Sequence, residues 1–219
     1  MITDHKEGAR ELLNDLIEYS GLPEELVRER CKYAVWELAY QWPNYKNPLD
    51  FYRNTDLYIY DLTKYQSILV PTVNYMVEMA KKYELKKILD LGGGIGQYTI
   101  RLANESKCEV AYLDLKNSKT AEYAIWRFKK RLEKMPPILT EVSEWWNEDW
   151  DAVVAMDVIE HMEPDLARKT LKRLKEKARY VFANPENVQY NEAYPQHIGR
   201  FTMDGFKHID INLYKNVSL

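Results

Sequence analysis

Apolar residues recur at helical spacing through the first third of the chain and then give way to short, unbroken apolar runs. Leu12, Leu13, Leu16 and Ile17 share one helical face, Gly21-Leu22-Pro23 punctuates them, and Leu26 to Trp42 forms a second amphipathic stretch ended by Pro43. A tyrosine-dense segment from Phe51 to Leu62 follows, and the spacing then predicts a helix from Ser67 to Tyr83. From residue 86 onward, runs at 86–91, 109–114, 138–142, 151–156 and 178–183 read as buried strands with helices between them. One helix opens at Ser118 and carries Ala121, Ile125, Phe128 and Leu132 on one face. Another starts at Pro164, carries Leu166, Leu171 and Leu174, and gathers Lys and Arg toward its end. This alternation predicts an α/β fold with a doubly wound, mainly parallel sheet over 86–219, behind an N-terminal helical cap or lid over 1–85.

Four of the eight glycines fall in one loop directly after the first apolar run, in Lys87-Ile88-Leu89-Asp90-Leu91-Gly92-Gly93-Gly94-Ile95-Gly96-Gln97-Tyr98. A strand, a glycine turn and a helix make a corner that binds phosphates or nucleosides. The dinucleotide fingerprint would demand glycine at position 97, where the chain has Gln97. The glycines instead stand at 92, 94 and 96 behind Asp90, a carboxylate at the strand end. A ligand with cationic centres and no pyrophosphate suits that arrangement of a carboxylate and glycines. Glycines allow close backbone approach for want of a Cβ. The second strand ends in Asp114, 18 residues after Gly96 and close to the roughly 20-residue offset of a ribose-binding acid.

The Asp-x-Gly-x-Gly-x-Gly arrangement resembles the first motif of class I S-adenosylmethionine-dependent methyltransferases. Asp157-Val158-Ile159-Glu160-His161 resembles their fourth motif, which lines the floor near the reactive methyl group. The resemblance spans residues 86 to about 206 and implies a Rossmann-like sheet with S-adenosylmethionine as cofactor and S-adenosylhomocysteine as product. Asp90, Gly92, Gly94, Gly96, Asp114 and Asp157 are the implied cofactor ligands, and the loop holding Glu141, Ser143, Trp145 and Trp146 is implied to border the adenine. Only 206–219 is left for the closing antiparallel hairpin of the family's seven-stranded sheet, so that hairpin must be very short or a strand is missing.

Composition narrows the rest. A chain of 219 residues that is 46% hydrophobic can bury one good α/β core with an appendage. The net charge of −3 makes nucleic acid a poor default substrate, and the basic runs Arg127, Lys129, Lys130, Arg131 and Lys169, Lys172, Arg173, Lys175 are expected on solvated helix faces. Cys31 and Cys108 lie far apart without metal spacing, with Cys31 expected in a helix core and Cys108 at a strand edge; this fits a reducing cytoplasm. No apolar leader or 18-residue apolar run occurs, so a cytoplasmic protein is expected, without a membrane partner.

Methyl transfer is an in-line displacement that needs a positioned nucleophile and a base. His161 is the leading base and His197 a second candidate for the same pocket, with a small-molecule acceptor selected by the cap. Tyr52, Tyr58, Tyr60 and Tyr65 could form a substrate-facing lid or a packing surface. No resident metal is expected. Glu160, His161 and His197 nevertheless resemble the metal set of small-RNA terminal 2′-O-methyltransferases, to which Asn187-Val188-Gln189-Tyr190-Asn191 adds some likeness; Asp157 stands where those enzymes have Glu. A non-catalytic binding module and a dehydrogenase are the remaining readings, opposed by the intact acid and glycine motif and by Gln97 respectively.

Overall fold

Seven strands form one sheet in the computed structural model, which describes residues 4–185, 195, 197 and 201–217, leaving aside the side chains of residues 142, 143 and 146. Five helices come first: α1 (His5–Ser20), α2 (Glu24–Gln41), α3 (Pro48–Asn54), α4 (Leu57–Ile68) and α5 (Val70–Lys82). Asp4 caps α1 by accepting from the Lys6 and Glu7 amides, and Gly21 closes it in the left-handed conformation. The alternating half follows as β1 (Lys87–Leu91), α6 (Gln97–Ser106), β2 (Glu109–Leu113), α7 (Lys119–Arg131), β3 (Ile138–Leu139), β4 (Trp150–Ala155), α8 (Pro164–Lys177) and β5 (Ala178–Ala183). Each strand falls within a residue or so of its apolar run except β3, which pairs over two residues only.

The sheet order is β3-β2-β1-β4-β5-β7-β6, the first five strands parallel. Both hairpin strands are present, β6 (Phe206–Asp210) and β7 (Leu213–Asn216), so no strand is missing; a two-residue turn with Asn212 at positive φ keeps the hairpin short. The chain winds outward from β1 to β3 and returns to β4 on the other side of β1. That reversal makes the crevice where ligands of such sheets bind.

Both faces of the sheet are covered, which is why its strands read as continuous apolar runs. Val73, Met76 and Val77 of α5 pack with Tyr98 and Leu102 of α6 over Ile88, Val110, Val154 and Phe182. Ala167 and Leu174 of α8, with Trp145, cover Leu89, Leu91, Ala111, Val153 and Val181 on the opposite face. A third apolar cluster joins Leu12, Leu13 and Leu16 of α1, Val27, Cys31 and Ala34 of α2, and Ile59 and Tyr60 of α4 to Ile95 of the glycine loop and Tyr123 of α7. Cys31 and Cys108 are both buried free thiols. Among the described residues, no helix is long and apolar enough to cross a membrane.

Candidate active site

The glycine loop is folded by its own hydrogen bonds. The amides of Gly92 and Gly93 donate to the Leu113 carbonyl at 2.8 and 3.1 Å, and the Gly96 amide donates to the Gly93 carbonyl at 2.8 Å. Gly96 has φ +74°, and a Cβ there would stand 2.4 Å from Phe128, so packing on α7 requires glycine. Gly94 differs: a Cβ there would meet Leu62 Cδ1 at 3.1 Å and the Gly92 carbonyl oxygen at an ordinary 3.9 Å, and this glycine lines a cavity.

That cavity, of about 310 Å³, lies at the carboxyl ends of β1, β2 and β4. Gly92, Gly94, Asp114, Leu115, Thr140 and Met156 line its sheet side; Leu49 and Tyr52 of α3 and Tyr58, Leu62 and Tyr65 of α4 line it from the N-terminal helices, as do Asp157 and His161 from the segment after β4. Asp114 is tied down at both oxygens, Oδ2 accepting from the Gly94 amide at 2.7 Å and Oδ1 from the Leu115 amide at 2.6 Å. Burial pushes its carboxyl up to about 6, against the lowering effect of those two amides.

Asp90, at the end of β1, is placed differently from Asp114. It does not line the cavity; its carboxylate is 1% exposed and accepts from the Thr99 amide at 3.1 Å and the Thr99 hydroxyl at 2.7 Å. Burial raises it to about 7. Those two bonds fasten the start of α6. Gly96 is likewise spent on packing and stands outside the described cavity lining.

Past β4 the chain makes a strained turn, with Asp157 at φ 52°. Asp157 Oδ2 accepts from the Tyr65 hydroxyl of α4 at 3.1 Å, and burial raises its carboxyl. The 3-10 turn Ile159–His161 then presents His161, whose Nδ1 stands 2.9 Å from the Tyr52 hydroxyl of α3. Burial keeps the Tyr52 phenol well above its ordinary range, hence protonated. The His161 and His197 rings meet edge to face, centroids 4.7 Å apart. Glu160 is 2% exposed, its Oε2 has no hydrogen-bond partner, and burial raises its carboxyl to about 7. One ligand atom from each of Glu160, His161 and His197 lies within 4.8 Å of the others.

Several expectations are corrected here. Trp145 is fully buried in the sheet core and Glu141 is an exposed cap of the 3-10 turn Val142–Asn147, so neither borders the cavity; Thr140 does. The side chains of residues 143 and 146, and residues 187–191, lie outside the described residues. Of the four tyrosines, Tyr52, Tyr58 and Tyr65 line the cavity, while Tyr60 is buried in the apolar cluster of α1, α2 and α4, its hydroxyl accepting from Arg30 Nη1. Arg127 is not solvated at all: it is 0% exposed and paired with Asp15, 112 positions away. Only the helical phase of α7, which puts position 127 one turn from the buried Ala124 and Tyr123, could have marked it for burial.

No protein-family model and no curated protein matches the chain. Solved structures do. The chain is similar to an O-methyltransferase family protein from Burkholderia thailandensis at 15% identity, over 72% of this chain and 52% of that one, with a TM-score of 0.50. It is similar to the structure described as PigF with SAH at 13% identity, over 72% of this chain and 50% of that one, with a TM-score of 0.52. The chain spans about half the length of these structures. At such identities the likeness establishes the architecture: the chain has the Rossmann-like fold of class I methyltransferases.

Proposed function

We propose that the protein is an S-adenosylmethionine-dependent methyltransferase acting on an oxygen, nitrogen or carbon nucleophile of a small molecule. The observation that carries this reading is one cavity joining the Cβ-free face of Gly94 and the Asp114 carboxylate to Asp157 and His161 under a tyrosine-lined cap. The lining suits the cofactor: mostly apolar walls with the carboxylates of Asp114, for ribose hydroxyls, and Asp157, for a cationic amino-acid moiety. When bound, S-adenosylmethionine supplies a methyl group activated by its sulfonium. Gly94 lets the backbone approach, and Asp114 keeps lone pairs beyond those used by Gly94 and Leu115 for hydroxyl donors. His161 stands where it can take the acceptor's proton, steadied by Tyr52, while Tyr65 holds Asp157. The N-terminal helices act as a cap that selects the acceptor through Leu49, Tyr52 and Leu62.

Calorimetric titration with S-adenosylmethionine, S-adenosylhomocysteine and NADH tests it. Micromolar binding of both sulfur nucleosides with none of NADH supports the reading; no binding of either would move the non-catalytic module to the front.

A second reading is favoured by the orphaned Glu160 oxygen beside two imidazoles. Glu160, His161 and His197 would hold a divalent cation that polarises an acceptor hydroxyl, as in a 2′-O-methyltransferase-like enzyme. Titration with Mn²⁺, read by its paramagnetic relaxation, separates the two. Stoichiometric binding lost in Glu160→Gln supports the cation; no binding leaves His161 as a base.

A further inference from the structure

Ile95, the residue between Gly94 and Gly96, belongs to two structures at once. Its side chain is fully buried in the apolar cluster formed by Leu12, Leu13 and Leu16 of α1 and Ile59 of α4. Its carbonyl accepts from Arg127 Nη1 at 2.8 Å. The same guanidinium donates through Nη2 to Gln97 Oε1 at 2.8 Å and through Nε to Asp15 Oδ2 at 3.0 Å. Arg127 and Asp15 are both 0% exposed, and Asp15 is held further by Arg131 Nη2 at 2.5 Å and Lys130 Nζ at 3.0 Å.

A guanidinium out of reach of water needs its anion, since an uncompensated buried charge costs more than most single contacts supply. Asp15 therefore sets where Arg127 can stand, and Arg127 sets the Ile95 carbonyl and the first side chain of α6. The loop is thus held to α1 twice: by its side chain in the apolar cluster and by its carbonyl through the ion pair. Neither Asp15 nor Arg127 is among the described residues lining the cavity, so any effect on a ligand must pass through Ile95 and Gln97.

We propose that Asp15 and Arg127 are positioning residues for the glycine loop, so that docking of α1 and occupancy of the cofactor site are thermodynamically coupled. This deepens the cofactor reading above and rests on it. Coupling between two sites is reciprocal. A ligand that requires the formed loop must hold α1 in place, and loss of the ion pair must weaken that ligand.

The test uses the full chain with S-adenosylhomocysteine as probe. Asp15→Asn, which keeps shape and removes charge, is expected to weaken binding at least about tenfold in calorimetry, whereas Arg10→Gln, which breaks only the surface pair with Glu24, leaves it unchanged. Amide exchange supplies a measurement that needs no variant. The probe should slow exchange in α1 at Leu12 to Leu16 by a larger factor than in β7 at the far side of the sheet, and Asp15→Asn should abolish that excess. A folded Asp15→Asn protein that loses thermal stability but binds within about twofold of wild type overturns the proposal. So does equal slowing of α1 and β7, which reports only global stabilisation. If wild type binds no probe, the cofactor reading itself falls and this proposal falls with it, an outcome distinct from the other two.

Discussion

In the proposed cofactor site Asp114 serves two demands with one carboxylate, accepting the Gly94 and Leu115 amides and offering its remaining lone pairs to the ligand. Replacing it with Ala removes charge-assisted hydrogen bonds worth about 1.5–3 kcal/mol each, so S-adenosylhomocysteine should bind about tenfold or more weakly by calorimetry. Its carboxyl, raised to about 6 by burial, adds a pH dependence with a definite sign. Above that value the ionised group accepts; as pH falls through 6 it gains a proton and loses acceptor capacity. Affinity should therefore be level above pH 7 and decline below 6, and Asp114→Asn should flatten that decline. The glycines separate in the same way. Gly96→Ala drives a Cβ to 2.4 Å from Phe128 at φ +74° and should lower stability in urea unfolding by about 2–4 kcal/mol from overpacking and left-handed strain together. Gly94→Ala, whose Cβ comes close only to the flexible end of Leu62, should cost about 1–2 kcal/mol from the strain. Its larger effect should be on ligand affinity.

Helices α1 and α7 show how one element can be legible in its apolar face and illegible in its charged one. Ala121 and Phe128 are buried as the helical spacing predicts, and Ser118 caps the helix by accepting the Ala121 amide at 3.0 Å. Arg127 sits in a run of four basic positions that reads as solvated, yet α7 turns it against Asp15. Three cations surround that carboxylate, and they lower its pKa despite burial. Asp15→Ala should cost about 3–5 kcal/mol, the typical loss on breaking a buried pair from one side, seen as a lower urea midpoint. A group whose folded pKa is depressed contributes stability above its unfolded value near 4 and loses it as pH falls through the folded value. The wild type should accordingly lose stability to acid more steeply than Asp15→Asn.

At the scale of the molecule, the cavity exists because the sheet reverses direction between β1 and β4 and helices α3 and α4 line that crevice from the other side. Tyr52 from α3 and Tyr65 from α4 each bond one residue of the Asp157-to-His161 turn, about 90 to 110 positions away in sequence. If His161 takes a proton during transfer, His161→Ala should cut turnover while S-adenosylhomocysteine affinity stays within about twofold. Turnover at the wild-type level would make His161 a structural residue of the turn. Tyr65→Phe should act on the other end, weakening the cofactor modestly through a freed Asp157.

The sequence alone determined the order of strands and helices, the glycine turn after β1, the acid after β2 and the histidine after β4. Those follow from periodicity, from glycine's want of a Cβ and from spacing along one chain, all of which are local. Tertiary structure decided which of these residues share a cavity. Asp90 and Asp114 are both acids at strand ends, yet Thr99 takes the first and the cavity takes the second. Trp145, in a loop by sequence, was drawn into the core by the large apolar area it could bury. The partners of Arg127, Tyr52 and Tyr65 lie roughly a hundred positions away, and only the fold brings such charges and hydroxyls within hydrogen-bond reach.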